Sequence, residues 1–166
     1  MKKNLFLNFG FTLIELLVVI SLIGILFGFG VAQYVQFNRR QVVEQTALDL
    51  KNNLRLAQTQ ALGGNKPVGC SFLLGYKVVF FQGSVENNTP DGYLIKAICS
   101  EGEIGEKRFT FPLVVRFSPL PSPPSVVFKV LGHGTDLENE LEIKLKGFNN
   151  DSYIKTVIIT SSGEIR

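Results

Sequence analysis

At 166 residues, 45% of them hydrophobic, the chain is long enough for one ordinary domain plus an appendage and apolar enough for a packed core. Its formal charge of +3 resides before Gly63: from Gly63 to Arg166 eleven Lys or Arg face eleven Asp or Glu, which removes bulk positive charge as a basis for gripping phosphate. The patterns HExxH, GxSxG and GxxxxGK[ST] are absent and the cysteines lack CxxC spacing, so neither catalysis nor a cofactor or metal is expected.

Lys2 and Lys3 open a short basic leader, residues 1–10, and from Phe11 to Ala32 the only polar side chains are Thr12, Glu15 and Ser21. Rising about 1.5 Å per residue as a helix, residues 11–32 would cross a bilayer hydrocarbon of about 30 Å. A cleaved secretory signal peptide is the ordinary alternative. The run exceeds its usual apolar region of about 7 to 15 residues and continues into helix-compatible residues where a small-residue cleavage site would stand. Charge does not orient the segment, because Lys2 and Lys3 are opposed by Arg39 and Arg40.

Within this run Glu15 is anomalous: a carboxylate at the centre of a membrane costs about 2.5 to 3.5 kcal/mol on insertion scales, so something should offset it. A helix start offers one offset, since its dipole favours an acid and the interface keeps it wet. Gly24 and Gly28 form a small-xxx-small pair that lets another helix approach closely, although each glycine also weakens the helix by about 1 kcal/mol.

Val43, Ala47, Leu50, Leu54, Ala57 and Ala61 then recur at intervals of four and three, which lines them along one helical face. Gly63-Gly64-Asn65 and Pro67 stop the pattern. The reading is a single helix from about Phe11 to Leu62, with residues 33–62 its amphipathic continuation, packed on a head formed by 63–166. In that head Tyr76–Phe81, Tyr93–Cys99, Arg108–Phe117, Val126–Leu131, Leu141–Leu145 and Tyr153–Thr160 read as strands, several of them antiparallel, with Pro119–Pro124 as a loop. The expected class is α+β.

Cys70 and Cys99, the two cysteines, either form a disulfide in an exported head or remain separate buried thiols. His133, between Gly132 and Gly134, reads as a turn residue. Asp136, Glu138, Glu140 and Glu142 read as a solvated turn and strand, since they lack an EF-hand pattern.

Gly10-Phe11-Thr12-Leu13-Ile14-Glu15, after a short basic leader, resembles the cleavage and methylation motif of type IV pilins and the pseudopilins of type II secretion. The resemblance implies a pilin-like fold, cleavage between Gly10 and Phe11 by a prepilin peptidase, and methylation of the new amino terminus at Phe11. It also implies that Glu15, then the fifth residue, pairs with the amino terminus of a neighbouring subunit during assembly. Many such proteins carry a proline where this chain has Ala32, so any local melting of the helix would depend on its glycines. Leu54–Ala61, Val127–Gly132 and Ile158–Arg166 resemble the head of the H-type minor pseudopilin and its type IV pilus counterpart.

The resemblance implies a single-pass inner-membrane protein with its head outside the cytoplasm, working with an inner-membrane assembly platform and entering a periplasmic or surface filament. Its expected role is that of a minor pseudopilin supporting protein secretion. The alternative is a minor type IV pilus subunit, serving initiation, adhesion or, in a DNA-binding form, DNA uptake, although Gly163-Glu164-Ile165-Arg166 departs from the basic cluster that the last role would use.

Overall fold

In the computed structural model, residues 12–132, 134–147 and 150–166 are described, with side chains except at 29–33 and 150–152. Helix α1 runs Leu13–Leu62, close to the span read from the sequence. Seven strands follow: β1 Leu73–Phe81, β2 Gly92–Cys99, β3 Gly102–Thr110, β4 Val115–Phe117, β5 Ser125–Lys129, β6 Leu141–Gly147 and β7 Asn150–Ile159. Arg39–Arg166 form one compact unit and the residues before Arg39 another.

The second unit is the α+β body. Its helix turns follow the 3.6-residue period: Val43, Ala47, Leu50, Leu54, Ala57 and Ala61, the face read from the sequence, are all at most 2% exposed. They pack on two antiparallel sheets, one ordered β3-β2-β1-β5 and the other β4-β6-β7. Alternation directs the sheet residues inward: Val78 and Phe80 of β1, Ile95 and Ala97 of β2, and Leu141, Ile143 and Leu145 of β6 all join the same core. At about 25 cal/mol per Å² of apolar surface, this shared burial is the main force holding helix and sheets together.

Two strand readings need correction. Arg108–Phe117 is not one strand: β3 ends at Thr110, and a turn in which the Val115 amide donates to the Pro112 carbonyl at 2.8 Å restarts the chain as β4 in the other sheet. Pro112 supplies no amide to a ladder, which is why the β-rich stretch breaks there. Val126–Leu131 ends early as well, since Val130–Gly132 form a 3-10 turn.

The chain after β7 folds back as a hairpin. Ile158 and Arg166 exchange both backbone hydrogen bonds, at 3.2 and 3.0 Å, and Ile165 is buried. From α1, Gln58 donates to the Gly163 carbonyl at 2.8 Å and Arg55 to that of Ile165 at 3.4 Å.

Candidate functional site

The start of α1 is capped by a threonine. Thr12 sits just before the helix, its hydroxyl accepting the Glu15 amide at 3.3 Å, while the Thr12 carbonyl accepts the Leu16 amide at 3.1 Å. Glu15 therefore occupies the third helical position, where the exposed amides and the dipole favour a carboxylate. Its side chain is exposed and forms no ion pair among the described residues. The Thr-x-x-Glu spacing that signals this cap stands in the sequence, and it agrees with the reading of Glu15 as an acid at a helix start.

Downstream the helix is apolar around its whole circumference. Leu13, Ile14, Leu16, Leu17, Ile20 and Phe27 represent a longer set of large side chains that are all exposed. A helix apolar on every side belongs in an apolar surround, because no polar face is available to meet water. Gly24 and Gly28 lie in this stretch, and a Cβ built on either meets nothing within 4 Å. Ser21 turns its hydroxyl inward to the Leu17 carbonyl at 2.8 Å, so it adds no free polar group. Among the described residues no helix is long and apolar enough to cross a membrane. The run read from the sequence, Phe11–Ala32, extends at both ends beyond the described side chains. Gly10, Phe11 and His133 also lie outside the described residues.

In the body, Cys70 and Cys99 are joined by a disulfide with Cα atoms 5.6 Å apart, tying the segment before β1 to the end of β2. Glu101 lies beside the two sulfurs, but sulfurs bonded to each other are not thiolate ligands, so this trio is no metal site. Its carboxylate accepts the Ser71 amide, and hydrogen bonding from Ser71 holds its pKa below the usual value. The acidic residues near the body's carboxyl end point to separate partners: Asp136 accepts the Val127 amide, Glu140 pairs with Arg166 and Glu142 with Lys144.

Sequence reasoning missed a buried ion pair. Arg116 on β4 donates to Asp91 at 2.8 Å and to the Thr89 carbonyl at 2.9 Å, while Asp91 also accepts the Gly83 and Phe117 amides. Basic side chains elsewhere are interleaved with acids: Lys77 and Lys96 with Glu103, Lys96 and Arg108 with Glu106, and Lys155 with Glu44.

An apolar helix opening on a cap-borne acid, continued as an amphipathic helix on antiparallel sheets, has the architecture of a pilin-like α+β protein. Consistent with it, the family model for the prokaryotic N-terminal methylation motif matches residues 7–31. The chain thus carries a type IV pilin-type prepilin leader, which supports a type IV pilin-like protein that assembles with other pilin subunits and is processed by prepilin peptidase. No curated protein matches the chain. No solved structure matches it either.

Proposed function

We propose that this chain is a minor pseudopilin, a structural subunit of a type II secretion pseudopilus that supports protein secretion. The observation that carries the reading is the pairing of Glu15 with an all-round apolar helix: a carboxylate that lacks a cation within the described chain, on a surface that needs apolar cover. Before assembly, residues 11–32 lie in the inner membrane with the head outside the cytoplasm. Prepilin peptidase cuts between Gly10 and Phe11, and the new amino terminus at Phe11 is methylated. In the filament, Glu15 of one subunit meets the amino terminus of the next. A desolvated pair of that kind discriminates correct from incorrect docking even where its net stabilisation is small.

The disulfide supports a head outside the cytoplasm, since such bonds persist in oxidising compartments. The work of the protein is mechanical, with no catalytic step and no cofactor. A minor type IV pilus subunit is the second reading and shares the same leader. Its DNA-binding form needs clustered cations, whereas the cations of this body alternate with acids.

The test is a cell in which the chain is expressed at its normal level with the other filament subunits. Amino-terminal sequencing is expected to read Phe11 first, and Glu15→Gln is expected to leave the folded head intact while reducing incorporation into sheared filaments. A mature chain beginning at Met1, or undiminished incorporation of the variant, rejects the reading. Loss of secretion with pili intact, on deleting the gene, separates the pseudopilus from the pilus.

A further inference from the structure

An open groove of about 700 Å³ lies within the second unit, between α1 and the end of β3 with the turn into β4. One wall is helical, and its Gln45, Asp49 and Asn52 stand at intervals of four and three, on one face and in reach of a single ligand. The opposite wall is apolar, made by Phe109, Pro112 and Val114. Phe109 is stacked on Tyr93 with centroids 5.1 Å apart and planes 15° from parallel, which fixes its ring. Tyr93 is itself held by Asn53, whose amide donates to the phenol oxygen at 2.9 Å.

We propose that this groove binds a neutral saccharide. Three observations select that class. The lining carries no Lys or Arg and a single carboxylate, Asp49, so it does not attract phosphate, nucleic acid or an acidic peptide. The carboxamides of Gln45 and Asn52 both donate and accept, as sugar hydroxyls do, and the immobilised ring of Phe109 offers a flat apolar face for the C–H side of a pyranose. The amides of α1 are used within the helix and those of Phe111 and Val115 are bonded to the Asp91 and Pro112 carbonyls, whereas the outer edge of β3 keeps backbone groups open to an extended peptide, which makes a peptide the competing class. The inference does not rest on the proposed function, because the groove belongs wholly to Arg39–Arg166.

The test is a titration of the full-length chain in a sugar-free zwitterionic detergent, following backbone and side-chain amide resonances by NMR. The probes are chitotetraose, cellotetraose and, as the competing class, a peptide of the sequence Ser-Pro-Leu-Pro-Ser-Pro-Pro. Saturable shifts at Gln45, Asn52, Phe109 and Thr110 with at least one oligosaccharide, and none with the peptide, are expected. Phe109→Ala removes the stacking face but also a contact of Tyr93, so the exposed Asn52→Ala and Asp49→Ala serve beside it. Each of these two is expected to keep the amide spectrum of the parent and to bind about tenfold more weakly, the effect of losing roughly one hydrogen-bonded contact. Lys144→Ala, on the other sheet, is expected to bind as the parent does. Absence of saturable shifts with both sugars at millimolar concentration overturns the proposal. So do shifts confined to other residues, parental affinity in both helix variants, or saturation by the peptide alone.

Discussion

Asp91 and Arg116 form an ion pair 2.8 Å long in which the carboxylate is wholly buried and the guanidinium nearly so. It joins the residue just before β2, in the four-stranded sheet, to β4, in the three-stranded one, and so helps fix how the two sheets meet. Asp91 is the more committed partner, with the Gly83 amide at 2.9 Å and the Phe117 amide at 2.8 Å as further donors. Arg116 is less fully satisfied, since its Nε has no hydrogen-bond partner.

That asymmetry predicts unequal costs. Asp91→Ala strands a buried cation and two backbone amides together, and is expected to destabilise the fold by about 3 to 5 kcal/mol or to prevent folding. Arg116→Met leaves Asp91 with its two backbone donors and is expected to cost less. Thermal unfolding of the full chain followed by circular dichroism ranks the two. A ranking in which Arg116→Met is the worse would mean that the guanidinium, and not the carboxylate, organises this junction.

The disulfide joins cysteines 29 positions apart. In the chain-entropy account a loop of that size is worth about 3.6 kcal/mol, within the usual range of 2 to 4. Cys70→Ser/Cys99→Ser is therefore expected to lower the unfolding midpoint while retaining the sheet signature, because β1 and β2 remain paired along their length and buried in the core. Parental stability in that variant, or parental stability under reductant strong enough to open the bond, would remove the bond from the list of forces holding the body.

How much of this was visible beforehand depends on what each residue type can signal alone. The buried face of α1 was legible to the residue, because six apolar positions at helical spacing leave little alternative. β6 was legible for the corresponding reason, with Leu141, Ile143 and Leu145 alternating against charged neighbours. β3 gave no such signal. Gly102–Thr110 is an edge strand with exposed residues on both faces, so its charges and glycines carry neither alternation nor apolarity, and pairing to β2 is what makes it a strand. The Asp91–Arg116 pair was invisible because charged residues separated by 25 positions ordinarily lie at the surface, and only the folded chain shows their burial. The sugar-sized groove was hidden similarly: Asp49 and Asn52 read as the wet side of a helix until Phe109 is placed opposite.

The contact of α1 with β7 makes stability sensitive to pH. Glu44 accepts from Lys155 at 2.8 Å and from the Tyr153 hydroxyl at 3.0 Å. The Lys155 hydrogen bond, then that of Tyr153, holds the Glu44 carboxyl below its ordinary pKa, and the Glu44 hydrogen bond raises Lys155 above its own. A carboxyl lowered on folding stabilises the protein above its unfolded pKa, and that contribution is lost as pH falls through the lower, folded value. A raised ammonium contributes fully below its unfolded pKa and loses the contribution as pH rises through the higher, folded one. Both groups are solvent-exposed, so the effects are small and weaken with salt. Glu44→Gln is expected to flatten both limbs of the unfolding midpoint plotted against pH. Superimposable curves for parent and variant would place the acid sensitivity elsewhere.

Gly24 and Gly28 separate the needs of the helix from those of assembly. Open space surrounds a Cβ at either position in the single chain, and neither residue is needed for a backbone shape that side chains avoid. Gly24→Ala and Gly28→Ala should therefore strengthen the isolated helix by about 1 kcal/mol each, read as equal or greater helicity in detergent. Gly24→Leu/Gly28→Leu is expected to keep that helicity, since leucine forms helices well, yet to reduce entry into filaments by keeping a neighbouring helix at a distance. The leucine variant distinguishes close helix approach from a softened helix as the reason for the glycines. If the alanine and leucine variants lose incorporation equally, flexibility is what assembly needs. If alanine is tolerated and leucine is not, the limiting quantity is the space between two backbones.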